Sequence, residues 1–177
     1  MSMSYLIGKL RPNIQVRTSD TPILIAGLFV LVGMVCWIHN KDSSARALTF
    51  TRINLVTLQG CLRQYETTGL PAPRIVAGKP AIYSFLASYQ QAFAHQNGTG
   101  QWRCSSDPLS YLQKSTLVKG WIPMPQGGRL WGVVMVKDGF GHPIRYLHST
   151  KLTWRAPCFA AKLPAVAGRV VTLYSVR

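Results

Sequence analysis

The chain has 177 residues, with 20 lysines and arginines against five acids, for a formal charge of +15. So few carboxylates nearly exclude paired-carboxylate catalysis and calcium cages by inventory. There is no G-x-S-x-G, H-E-x-x-H, P-loop, G-x-G-x-x-G or C-x-x-C motif, so the sequence points away from an enzyme and implies no cofactor or metal.

Residues 1–20 form a polar, basic lead without clear periodicity. The run ILIAGLFVLVGMVCWI, residues 23–38, then passes without a charge or a strongly polar group. With its flanks it reaches about 18–19 residues, the lower end for a membrane span. As a helix, the apolar part is roughly 24 Å long. Pro22 suits the first helical position and Trp37 an interfacial anchor, so residues 21–39 are expected to be a transmembrane helix contacting the lipid bilayer. The alternatives are a signal peptide or a buried core helix. Ala45-Arg46-Ala47 has the form of a cleavage site but lies far beyond the apolar run, and the anchor is expected to remain uncleaved. Three basic residues precede the span (Lys9, Arg11, Arg17) and three follow closely (Lys41, Arg46, Arg52), so loop charge does not orient it.

The segment NKDSS, residues 40–44, reads as a break before an extramembrane domain over residues 44–177. A second helix follows. Leu48, Leu55, Leu58, Leu62 and Tyr65 lie on one face, with Val56 and Cys61 widening the stripe. Gly69, Pro71 and Pro73 end it. A third helix is expected over residues 80–95, where Ile82, Phe85, Leu86, Tyr89 and Phe93 recur at helical spacing. A short fourth is expected at Pro108, capped by Ser106 or Asp107. After Gly120 the pattern predicts strands at residues 130–137, 144–148 and 168–176, with a proline-punctuated loop at 156–167. The expected fold class is α+β, with a long amphipathic helix packed on a small antiparallel sheet.

Some 17 basic and four acidic residues (Asp42, Glu66, Asp107, Asp138) follow the span. An excess this one-sided implies an acidic partner: a protein face, anionic headgroups or nucleic acid. Trp102, Trp121, Trp131 and Trp154 could stack bases, but the basic residues do not cluster around them in sequence, and nucleic acid is disfavoured. In a periplasmic setting Cys104 and Cys158 are the candidate disulfide pair, with two buried thiols as the alternative.

The stretch KDGFGHPIRY, residues 137–146, is the most patterned run. An Asp138–His142 pair could be half of a catalytic device, but it lacks an orienting third group. A structural corner explains more. Asp138 would accept backbone N–H bonds as in an Asx-turn, and Gly139 and Gly141 would permit positive φ. Phe140 would fold inward as a plug against the long helix near residues 58–65, and Pro143 would set the strand entry. His142 is left without a structural task, and His148 could share its face without completing a metal site.

Three motifs carry a family resemblance. Tyr65-Glu66-Thr67-Thr68-Gly69-Leu70-Pro71 resembles the Y-x-x-x-G-x-P end of the long helix in major type II secretion pseudopilins. Asp138, Gly139, Phe140, Gly141, Pro143 and Tyr146 resemble that family's D-x-W-G-x-P-x-x-Y corner, with Phe140 in the tryptophan position. The closing VVTLYSV resembles its last strand, while residues 78–129 fit poorly. The resemblance implies a domain on the periplasmic side of a bacterial inner membrane. This sequence departs from the pattern in having no prepilin-peptidase site, no glutamate in the span and no acidic calcium loop after the last strand. Those departures point to a retained domain without polymerisation. The expected function is a non-enzymatic, single-span accessory or scaffold subunit of a larger membrane complex, for example a respiratory or photosynthetic one. Its partners would be integral membrane and acidic periplasmic subunits. The alternatives are a true pseudopilin or pilus-like component, and an envelope nucleic-acid-binding protein.

Overall fold

The computed structural model describes residues 21–104, 108–149, 156–165 and 170–175. The chain is α+β. It divides into two units, Met1–Asp42 and Ser43–Arg177.

Helix α1 runs unbroken through Thr21–Thr67. The expected break at residues 40–44 is absent. Asn, Asp and Ser are only weakly unfavourable in a helix, Lys is a good helix former, and no glycine or proline falls within residues 40–44. In the first unit, every large apolar side chain from Ile25 to Ile38 is exposed, by 50% to 73%. From Ile25 to Thr67 the helix is, by length and composition, long and apolar enough to cross a membrane. Pro22 lies within its first turn, and Lys41 sets its Nζ 5.0 Å from the centre of the Trp37 ring.

In the second unit α1 becomes one-sided. Leu55, Leu58, Cys61, Leu62 and Tyr65 are buried at helical spacing. Val56, expected to widen the stripe, is 69% exposed, and the buried face continues instead through Thr51, Asn54 and Gln59. The helix closes as the sequence requires. Thr68 and Gly69 donate backbone bonds to the Tyr65 and Glu66 carbonyls, Gly69 takes φ +68°, and the Tyr65 hydroxyl donates to the Pro71 carbonyl at 2.9 Å.

Helix α2, Ala81–Ala92, starts one residue after Pro80 and buries Ile82, Phe85, Leu86 and Tyr89 against the α1 face. It stops three residues short of the expected end, because residues 94–96 pair as a strand. Among the described residues seven strands form three antiparallel sheets, where three strands were expected. β1 (Ala94–Gln96) pairs with β2 (Trp102–Cys104), and β3 (Leu117–Pro123) with β4 (Arg129–Val136). β5 (Arg145–Leu147), β6 (Cys158–Lys162) and β7 (Thr172–Tyr174) form the third sheet, with β6 central. β6 falls inside the expected loop. Its alanines have low strand propensity and Pro157 precedes it, so the local signal is weak although all but Lys162 are buried. The expected helix at Pro108 is a 3-10 turn, Pro108–Tyr111, and a second follows at Lys114–Thr116. The proposed caps Ser106 and Asp107 lie outside the described residues, as does Trp154.

An aromatic cluster joins α2 to the third sheet. Phe85 lies 5.2 Å from Tyr146 and 5.0 Å from Phe159, ring centre to ring centre, and Tyr146 lies 5.3 Å from Phe159. Such pairs add about 0.5–1.5 kcal/mol each beyond their buried area. Burial pushes the Tyr146 phenol up to about 12, helped by the nearby Glu66 carboxylate.

Candidate functional site

Two places gather the residues singled out above. The first is the corner after β4. Asp138 is buried. Its Oδ1 accepts the backbone N–H groups of Phe140 at 2.9 Å and His142 at 2.8 Å, an Asx-turn extended by one more bond. Its own N–H donates to the His142 carbonyl, and Gly141 donates back to the Asp138 carbonyl. Gly141 takes φ +89°, the left-handed region. Gly139 serves a different purpose. A Cβ there would overlap the Ala47 carbonyl oxygen and stand 2.5 Å from the Ala47 carbonyl carbon and Cα. Absence of a side chain is what lets the corner touch the backbone of α1.

The corner is therefore docked on the helix, but about two to three turns before the expected place. Gly139 donates to Thr51 Oγ1 at 2.9 Å, and Asn54 Nδ2 donates to the Lys137 carbonyl at 3.0 Å and to Thr116 Oγ1 at 2.8 Å. Phe140 is half-buried and outside the hydrophobic core, so it is not the plug. Pro143 bridges back to Lys137, and Tyr146 is buried in the aromatic cluster. The Asp138–His142 pair does form, with Nδ1 3.6 Å from Oδ2. The imidazole side is open to solvent and the carboxylate is sealed, its Oδ1 already held by two backbone donors. This geometry holds a loop in shape.

The second place was not legible as a site. A cleft of about 1240 Å³ opens beside the β3–β4 hairpin. Three tryptophans line it: Trp102 from β2, Trp121 from β3 and Trp131 from β4. Trp121 and Trp131 are cross-strand partners, 57% and 52% exposed, packed edge to face at 5.0 Å. Trp102 donates its indole N–H to the Gly127 carbonyl at 3.0 Å, fixing the hairpin turn to β2. Four cations line the same cleft: Arg103, Lys114, Lys119 and Arg129. No carboxylate lines it among the described residues, and none of the four cations has an acidic partner there. The expectation that basic residues stand apart from the tryptophans is thus overturned in space. Strand pairing brings together residues that lie far apart in the chain. A local signal did exist, the repeated cation-x-Trp of KGW and RLW around Gly127-Gly128.

No family model, curated protein or solved structure matches this chain.

The cleft is firmly held. α2 places Gln90 against the outer edge of β4, where its amide donates to the Val133 carbonyl at 2.7 Å and accepts from the Val133 N–H at 2.9 Å. The side chain acts as one residue of a missing neighbouring strand and closes an otherwise open edge. Cys104 lies on β2 and Cys158 on β6, in different sheets, and no disulfide joins them. The expected bridge is therefore withdrawn. Among the described residues, no group of three or more His, Cys, Asp or Glu side chains comes together as a metal site.

Proposed function

We propose that the protein is a non-enzymatic, single-span subunit of a larger membrane assembly, whose basic domain docks on an acidic extramembrane partner. The observation that carries this is α1. One continuous helix exposes its apolar side chains on all sides from Ile25 to Ile38, then turns one-sided where it forms the core of the domain. A helix apolar all round suits lipid, and a striped one suits a folded core. The charge excess supplies the partner's chemistry, since a surface so short of acids repels its like and draws anions. Placement in a bacterial inner membrane, with the domain periplasmic, belongs to this reading through the resemblance to pseudopilins.

The test is extraction in mild detergent. The chain should leave the membrane fraction only with detergent and migrate as part of a larger complex. Raised salt should strip its soluble partners, because exposed charge pairs are screened within about 8–10 Å near physiological ionic strength. Recovery as a monomer at low salt overturns the docking reading.

The unbroken length of α1 also favours a second reading, a pseudopilin or pilus-like component, in which such a helix is the assembling element. Intact-mass analysis separates the two. Removal of an N-terminal leader supports the second reading, and a chain beginning at Met1 supports the first.

A further inference from the structure

We infer that the tryptophan cleft is the docking site for the acidic partner, and that it takes an extended acidic segment with an apolar side chain between two acids. This rests on the docking reading above and gives it an address. Strand register sets the order of side chains along the hairpin. Lys119 and Trp121 are two apart on β3, and Arg129 and Trp131 are two apart on β4, so each pair shares a face of the hairpin. The strands are antiparallel. Lys119 sits opposite Val133, Trp121 opposite Trp131, and Arg129 opposite Pro123. Along the face the order is therefore cation, indole pair, cation.

Strand rise sets the spacing. Two residues advance about 7 Å, which puts the cations roughly 13 Å apart with the indoles midway. An extended peptide repeats its same-face side chains at the same rise. Acids at positions i and i+4 would meet Lys119 and Arg129, while an apolar side chain at i+2 would pack into the open angle where the edge of one indole meets the face of the other. Arg103 and Lys114 on the flanks extend the positive field. Leu109 and Leu112 of the 3-10 turn region pack in one cluster with Val133 and wall off that end.

Three observations favour a protein segment over a nucleic acid. The indoles meet edge to face, so one ring's face is occupied and the pair forms a single notch instead of successive parallel platforms. Single-stranded nucleic acid uses aromatic rings on which successive bases stack. Trp and Arg are also the residues that most often dominate protein interfaces, and both are concentrated here. Tyr111, 77% exposed beside the lining residue Ser110, adds a further side chain of that kind.

The experiment uses the full chain in detergent micelles and fluorescence anisotropy. The probes are a labelled peptide with glutamates at i and i+4 around a phenylalanine, its glutamine analogue, and a labelled oligothymidylate of similar length. The glutamate peptide should bind saturably and the glutamine analogue should not. Affinity should fall about thirtyfold in W121A/W131A, the size of losing one strong interface residue. It should also fall in K119Q/R129Q, and the thermal unfolding midpoint should stay close to that of the unaltered chain in both variants, since all four side chains are exposed. Unchanged peptide affinity in both variants overturns the cleft assignment, and so does tighter binding of the oligothymidylate or binding of neither probe. Partner recovery from native membranes keeps the two readings distinct. If the W121A/W131A chain still carries salt-sensitive partners, the cleft is wrong and the docking reading stands. If the unaltered chain carries none at low salt, the docking reading itself fails.

Discussion

Replacing Gly139 with alanine tests the account of the corner most directly. The added methyl would overlap the Ala47 carbonyl oxygen and lie 2.5 Å from two further backbone atoms of α1. Backbone cannot rotate away as a side-chain tip can, so the corner must lift off the helix. Overpacking of this kind costs about 1–3 kcal/mol. Lifting also lengthens the Gly139-to-Thr51 bond, now 2.9 Å, and the Asn54-to-Lys137 bond, now 3.0 Å. Each such bond is worth about 1 kcal/mol net. The expected loss is about 3–5 kcal/mol, a large part of the roughly 5–15 kcal/mol that holds a domain together. In thermal unfolding of the detergent-solubilised chain, the Tm should fall by roughly 10–20 °C. Gly141→Ala is the control. Nothing lies within 4 Å of its added Cβ, so only the φ of +89° opposes it, at about 1–2 kcal/mol. If Gly141→Ala proves the more damaging of the two, or if Gly139→Ala shifts stability by less than about 1 kcal/mol, the docking of the corner on Ala47 is refuted.

Asp138→Ala removes the acceptor of two backbone N–H groups and should cost about 2–3 kcal/mol in guanidinium unfolding, whereas His142→Ala, with an exposed imidazole, should stay within about 0.5 kcal/mol. Gln90→Leu leaves the Val133 N–H and C=O buried without partners and should cost about 2–4 kcal/mol, with faster hydrogen exchange at the Val133 amide than at Val136. Alkaline titration probes the aromatic cluster. Burial, then the Glu66 carboxylate, raises the Tyr146 phenol from 10.0 to about 12, so the folded state holds this proton more tightly than the unfolded chain. The stabilisation is complete below pH 10 and is lost as pH rises towards 12. Tyr146→Phe should flatten that decline, as read by unfolding at stepped pH.

How much of this could be read from the sequence depended on how local the physics was. The end of α1 was legible because Gly69 and Pro71 act on their own neighbours. The Asx-turn at Asp138 was legible because a short acid before glycines bonds within four residues. The purpose of Gly139 was not. A close approach to Ala47 is a tertiary fact, and a glycine that needs space looks in sequence like one that needs positive φ. Thr51, Asn54 and Gln59 were overlooked because polar residues read as a solvent face, yet they are buried at 0%, 0% and 3% exposure. Their partners lie far along the chain: Gly139, Thr116 and Ser175. β6 was hidden by alanines, and β1 and β2 by their three-residue length. The cleft was hidden for the same reason as Asn54, since it exists only when β2, β3 and β4 come together.

The buried polar groups also explain why the cleft can be a binding surface at all. A hairpin alone is marginal in water, and two exposed indoles on a flexible ribbon would lose much of their binding energy to ordering. Here the hairpin is fixed at three points. Asn54 of α1 holds the end where Leu117 faces Val136, by donating to the adjacent Thr116 and Lys137. Gln90 of α2 holds the middle through Val133, and Trp102 of β2 holds the turn at Gly127. Buried hydrogen-bonding side chains of this kind add little net stability over an apolar core, but they admit one register and resist slippage. Within the polar stripe on α1, Asn54 is therefore a support of the cleft. Together with Gln90 and Trp102 it fixes Lys119, Trp121, Arg129 and Trp131 at the spacing an extended acidic segment presents, and the same helix includes the apolar stretch that would hold the domain at a membrane.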